Sequence, residues 1–212
     1  DSRTGPVINL YNACTATAST PSSHPVRLEI ATDYPRSGRI VVTVTPQAPE
    51  QFSIRLRIPS WSKSTELKVG ANEIHAAPGT YADIPRLWSS GDRIELTLDM
   101  RCRLLDSPRG SNRAGDHRQA LIRGPIVLAR DENTDPNYDK PVTIMARDGY
   151  VDVIPVPPVS RTTRMQFRVP TADGSIQMVD YASVDNWTGK HVCTWLPKEK
   201  TEEGPEKTVQ EK

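Results

Sequence analysis

Residues 52–61 read FSIRLRIPSW. Phe52, Ile54, Leu56 and Ile58 alternate with Ser53, Arg55 and Arg57 until Pro59 ends the run. A period of two sends every second side chain to one face, so the stretch predicts a half-buried antiparallel strand with its arginines in water. One strand cannot bury its own apolar face, and similar runs flank it at hairpin spacing, so the natural product is a sheet.

Working outward, Val7 to Tyr11 is a short apolar run behind Gly5 and Pro6. Val26, Leu28 and Ile30 alternate with Arg27 and Glu29, and residues 33–38, DYPRSG, turn the chain into Ile40, Val42 and Val44. Pro and Gly supply the restricted and permissive backbone positions that such a reversal needs. Beyond the central run come Glu66 to Val69, a turn at Gly70 to Asn72 with Ile74 after it, and Gly79 to Ile84. A turn over Trp88 to Asp92 follows, then Ile94, Leu96, Leu98 and Met100 in clean alternation. Seven or eight short strands up to Met100 is the density of an antiparallel sandwich.

From Arg101 to Arg118 the alternation breaks, and Ser107 to His117 reads as a linker or long loop. A second set of strands is expected at Gln119 to Ile122, Ile126 to Ala129, Val142 to Ala146, Tyr150 to Ile154, Met165 to Val169, Ile176 to Tyr181 and His191 to Leu196. Nine of the fifteen residues from Lys198 to Lys212 are charged and only Val209 is large and apolar, so a disordered tail is expected there. The expected fold is therefore all-β: a first antiparallel, jelly-roll-like β-sandwich over 1–107, a linker over 108–117, a second sandwich over 118–197, and a charged tail over 198–212.

The 212 residues carry a formal charge of +1 and 36% hydrophobic residues, which gives no electrostatic reason to expect nucleic acid or an anionic membrane. No apolar run reaches bilayer-spanning length, and the first residues, DSRTGPVINL, lack the basic-then-apolar order of a signal peptide. The chain begins abruptly, as if cut from something longer. Nineteen prolines and twelve glycines spread along it leave no room for a long helix.

Chemistry-bearing motifs are sparse. Cys14, Cys102 and Cys193 are far apart, and His191-Val192-Cys193 lacks zinc-ligand spacing, so free thiols are the expectation. The four histidines sit in no nucleophile or metal motif, and no G-x-S-x-G, H-E-x-x-H or phosphate-cradling loop occurs. A glycosidase carboxylate pair has no sequence signature, so neighbours such as Asp131 and Glu132 carry no weight. Flat aromatic faces cover the apolar side of a sugar ring, which makes Trp61, Trp88, Trp187 and Tyr181 the carbohydrate-contact candidates. Core or rim packing competes for the same residues and is weighed ahead of stacking.

The order GPVINLY (5–11), RLEIATDYPRSGRIVVTV (27–44), FSIRLRIPSWS (52–62), LWSSGDRIELTLDM (87–100), RQALIRGPIVLARDE (118–132) and VDYASVDNWTGKHVCTWLP (179–197) resembles the C-terminal half of glycoside hydrolase family 127, the β-L-arabinofuranosidase-like family formerly of unknown function. The resemblance covers nearly all of residues 5–197. Its most specific pieces are Ile58-Pro59-Ser60-Trp61, the turn from Trp88 to Gly91-Asp92, and Arg123-Gly124-Pro125. It implies a bacterial parent with an N-terminal (α/α)6 catalytic barrel followed by two β-sandwiches. It also implies that the cysteine nucleophile, glutamate acid/base and zinc site lie upstream of the equivalent of Gly5. No catalytic residue, metal ligand or cofactor is carried onto this chain, and any zinc belongs to the barrel. Cys14 lacks the family's adjacent-cysteine context. In that family the last strand can return to the first sandwich, which leaves the pairing of 191–196 open.

The expected role is that of a non-catalytic accessory portion acting with its own barrel on arabinofuranosyl-type, plant-type glycans, supporting the barrel or forming homodimer contacts. The alternative is a stand-alone carbohydrate-binding or protein-interaction module. A complete protein with a hidden carboxylate site ranks last. Neither nucleic acid nor a membrane is an expected partner, and the location stays open between cytoplasm and periplasm or secretion.

Overall fold

The computed structural model describes residues 4–108, 117–158, 163–184 and 191–199. They form strands and one short 3-10 turn, and the chain divides into two compact units, Asp1–Arg101 and Cys102–Lys212.

The first unit contains β1 (Val7–Ile8), β2 (Cys14–Ser19), β3 (Pro25–Thr32), β4 (Arg39–Pro46), β5 (Glu50–Arg57), β6 (Glu66–Val69), β7 (Asn72–Glu73), β8 (Tyr81–Trp88) and β9 (Asp92–Thr97). They make a three-stranded sheet in the order β1–β5–β8 and a six-stranded sheet in the order β2–β3–β4–β9–β6–β7. The run that opens the sequence reading is the middle strand of the smaller sheet. It pairs antiparallel with β8 from Glu50↔Trp88 to Arg57↔Tyr81, and parallel with β1 at Val7↔Arg55 and Ile8↔Leu56. Phe52, Ile54, Leu56 and Ile58 all face the core, as the period of two requires.

In the larger sheet the register lines up apolar rows. Ile30, Val42, Ile94 and Val69 lie opposite one another across four strands, and Ile40, Leu96 and Leu67 form the next row. One hydrophobic cluster joins these rows to the inner residues of β5 and β8, so the two sheets enclose a single core between them. Two features pin β1 to β5. A Cβ on Gly5 would meet the Ser53 carbonyl oxygen at 2.1 Å, and its φ of +128° is glycine territory, so only glycine lets the chain pass this close. The buried Tyr11 hydroxyl then donates to the Arg57 carbonyl at 2.6 Å.

The second unit contains β10 (Cys102–Asp106), β11 (Arg118–Arg123), β12 (Ile126–Asp131), β13 (Tyr150–Val151), β14 (Ile154–Val156), β15 (Gln166–Thr171), β16 (Gly174–Asp180), β17 (Val192–Cys193) and β18 (Leu196–Pro197). Hydrogen bonds connect all nine strands, with a main path β13–β10–β11–β12–β16–β15–β14. A single core cluster draws on β10, β11, β12, β13, β15, β16 and β18. The β11–β12 hairpin turns at Gly124 and stays paired for only two residue pairs, Ile122↔Val127 and Arg123↔Ile126. Farther from the turn the C-terminal segment fills the opening: β17 pairs with Arg130 and Asp131 of β12, and β18 pairs with Arg118 and Gln119 of β11. The segment 191–196, whose partner the resemblance left open, thus pairs wholly within the second unit.

Other differences from expectation have local causes. Cys102–Asp106 was grouped with the first unit, yet it pairs with β11 from Cys102↔Arg123 to Asp106↔Gln119 and with β13. Val142 to Ala146 was expected to be a strand. It forms no continuous ladder: beside the Ile144↔Thr171 bridge it is held by the Val142 N–H donating to the Pro197 carbonyl of β18 and by Gln119 Nε2 donating to the Val142 carbonyl at 2.7 Å. Most of the expected linker and nearly all of the expected tail lie outside the described residues. At the start of that tail, Lys198 donates its backbone N–H to His117 and its side chain reaches Asp106.

Candidate functional site

The structure separates the four aromatic candidates. Trp88 ends β8 at 0% exposure, with its indole N–H donating to the Phe52 carbonyl at 3.0 Å and the Arg86 guanidinium over its ring at 5.7 Å. This corrects its selection as a sugar contact, because no face of the ring is open to a ligand. The turn after it was read correctly: Asp92 accepts from the Ser89 N–H at 2.9 Å and Gly91 takes a φ of +90°. Trp61 is half-buried against the first unit's core. Tyr181 opens a 3-10 turn in the second unit and is 49% exposed, the most accessible of the three described candidates. Trp187 lies outside the described residues.

Among the described residues the three buried aspartates, Asp99, Asp131 and Asp180, are each occupied by nearby donors. Asp99 accepts from the Arg101 guanidinium at 2.7 and 2.9 Å and from the Arg101 N–H at 3.1 Å, while its own N–H donates to the buried Ser62 hydroxyl. The Arg101 guanidinium holds the Asp99 carboxyl below the usual carboxylate range. A glycosidase general acid needs the opposite shift. Asp180 accepts from the Met165 N–H and the Ser183 hydroxyl, both at 2.7 Å. Asp131 accepts from the N–H and side-chain amide of Asn133, both at 3.0 Å. Buried Arg130 pairs with Asp135 at 2.8 Å and donates to the Lys140 carbonyl, which ties the 131–140 loop to β12.

The thiols are dispersed. Cys14 is exposed on β2, Cys102 is buried with its thiol pushed up to about 12 by desolvation, and Cys193 is half-buried and also raised by desolvation. Among the described residues no group of three or more His, Cys, Asp and Glu side chains is placed to hold a metal ion.

The first unit's two outer faces differ in chemistry. On the six-stranded sheet, Arg27 pairs with Glu29, Arg39 with Glu95 and Lys68 with Glu73, a solvated lattice of both signs. On the three-stranded sheet, the register aligns Val7, Arg55 and Asp83 in one outward row and Arg57 with Tyr81 in the next, followed by Ser53 with Pro85 and Gln51 with Leu87. Tyr81 donates its hydroxyl to Asn9 at 2.6 Å and lies under the Arg55 guanidinium at 5.9 Å. Leu10, Tyr81 and Leu87 are the first unit's exposed large hydrophobic residues, and all three sit in or beside this sheet. Sequence reasoning stopped this strand at Ile84. The signal was present in YADIPRLW, where Ala82, Ile84 and Trp88 supply one apolar face while Tyr81, Pro85 and Leu87 give the other an apolar share.

The fold thus defines the class: an all-β chain of two units, the first a two-sheet unit closed around its own core. Residues 6–100, nearly the whole first unit, match the family model of the beta-L-arabinofuranosidase GH127 middle domain. The chain resembles the β region of GH127 proteins, as the sequence motifs had indicated. A solved glycoside hydrolase matches at TM-score 0.73 and 23% identity, covering 92% of this chain and 36% of that one. The GH127 beta-L-arabinofuranosidase of Geobacillus stearothermophilus T6 matches at TM-score 0.73 and 19% identity, covering 91% and 34%. The GH127 beta-arabinofuranosidase BT3674 matches at 0.71 and 22%, covering 91% and 34%. At these identities the likeness is one of fold, and it extends over both units. The chain spans only 34–36% of the length of these solved chains. No curated protein matches it.

Proposed function

We propose that this chain is the non-catalytic β portion of a GH127-type glycoside hydrolase acting on arabinofuranosyl-type glycans, with bond cleavage performed by a separate catalytic domain. The observation that carries the reading is the match of residues 6–100 to a domain described as the middle one of such an enzyme. Two further observations support it. The described residues are all-β, whereas the solved neighbours are nearly three times as long and hold room for another domain. The buried carboxylates, Asp99, Asp131 and Asp180, are each taken up by local hydrogen bonds that build turns and strand ends.

The test is hydrolysis of an aryl β-L-arabinofuranoside by the purified chain. No turnover is expected, and turnover that survives repurification overturns the assignment. The coding sequence upstream of Asp1 gives the second readout, since a helical catalytic domain is expected there.

A further inference from the structure

We propose that the outer face of the three-stranded sheet, built from Val7, Ser53, Arg55, Asp83, Pro85 and Leu87, is the docking surface for the catalytic domain of the same polypeptide. The inference rests on the functional reading above and names the partner surface within it. The contrast between the first unit's two outer faces carries the choice. The larger sheet presents paired charges that lose hydration if covered, through Arg27–Glu29, Arg39–Glu95 and Lys68–Glu73. The smaller sheet exposes Tyr81 and Leu87, at 47% and 57%, near the two ends of β8, with Leu10 at 73% just past the end of β1, and Arg55 is held over the Tyr81 ring. Exposed apolar side chains gathered on one face with anchored polar neighbours mark an interaction surface.

Size and connection identify the occupant. Strands β5 and β8 are eight residues each, and Thr4 and Pro6 extend the β1 pairing by accepting from Ser53 and Arg55. Two strands of that length, bordered by the shorter β1 pairing from Thr4 to Ile8, cover roughly 300 Å², the low end of one side of an inter-domain interface. The solved neighbours devote about two thirds of their length to regions outside this fold. The first strand of the chain, β1, is the edge strand of this same sheet, so polypeptide joined ahead of it enters at the border of this sheet and not at the larger one.

The experiment uses the full-length gene product and the 212-residue chain, both carrying Cys14→Ser. Each receives Leu87→Cys or Asp83→Cys on the proposed face, or Arg27→Cys or Glu95→Cys on the opposite one. Maleimide labelling is followed by peptide mass spectrometry. In the full-length protein, labelling at positions 87 and 83 should slow roughly tenfold or more relative to the shorter chain, with positions 27 and 95 changing by less than about twofold. Slowing at 27 and 95, slowing at all four positions, or slowing at none overturns the face. The mass of the gene product separates the two levels. A product no longer than this chain removes the proposed function and this surface together, whereas a longer product with an unshielded Leu87→Cys removes the surface alone.

Discussion

The two units have similar lengths and different interiors. Among the described residues the first gathers twenty buried apolar residues into one cluster, whereas the second gathers ten. Buried polar side chains run the other way: Thr20, Ser62 and Asp99 in the first, and Gln119, Arg130, Asp131, Gln166 and Asp180 in the second. The first unit is held by apolar rows registered across strands. The second is held in larger part by side-chain-to-backbone bonds that fix segments running outside the sheet, such as Gln119 to Val142 and Arg130 to Lys140. These are different failure modes, because a core tolerates loss of a polar contact better than a satisfied polar clamp tolerates loss of one partner.

The sharpest way to break this comparison is Trp88→Ala. Deleting a fully buried indole and its bond to Phe52 should cost about 3–5 kcal/mol. Hydrogen exchange in urea should show β4 and β5 losing protection while β11 and β12 keep theirs. Equal losses in both units would mean that they share one cooperative interior.

The reciprocal change is Asp135→Ala, which leaves the Arg130 guanidinium buried beside an emptied partner position. Removing one member of a buried ion pair costs about 3 kcal/mol or more, here confined to the second unit. A cost below about 1 kcal/mol would place that unit's stability in its apolar cluster after all.

Asp99→Asn sharpens the comparison inside the first unit, where it removes the principal buried carboxylate. Charge-assisted bonds from Arg101 are worth about 1.5–3 kcal/mol near neutrality. Because the folded carboxyl titrates below its unfolded counterpart, this contribution is complete above the ordinary carboxylate range and fades as pH falls through the folded value. Urea midpoints of parent and Asp99→Asn should therefore converge on acidification from pH 7. A gap that persists at low pH would assign the effect to packing.

This division of labour also explains what could be read from the sequence. Strands such as β4 and β5 write their burial directly as alternation, and IVVTV and FSIRLRI were legible for that reason. The edge strand β2, CTATAS, is exposed along nearly its whole length and therefore carries no apolar period to detect. Strand β10 was taken for a break because Arg103 separates Cys102 from Leu104 and Leu105, which are only half-buried. The site was less legible than the fold. A tryptophan beside Ser-Ser-Gly can be a loop-end platform as well as the buried last residue of a strand, the reading weighed ahead, and the β5–β8 register with its full burial places Trp88 inside. The outward apolar positions of β8 depended on extending that strand past Pro85, which an edge strand accommodates.

Tyr181→Ala should have the smallest effect, and it tests whether the second unit's polar clamps are sufficient without aromatic help. The turn that Tyr181 opens is closed by the Val184 N–H donating to the Tyr181 carbonyl, and is braced by Asp180 receiving Ser183 and Met165. The ring takes no part in these bonds, so its loss should change stability by no more than about 0.5 kcal/mol. Asp180→Ala strips two acceptor roles from a buried position and should cost several times more. Parity between the two variants would mean that the Tyr181 ring packs in solution and that the clamp is secondary. Titration with arabinan oligosaccharides supplies the functional half of the test: a fluorescence response lost in Tyr181→Ala at unchanged stability would make this residue a sugar contact rather than an exposed turn position.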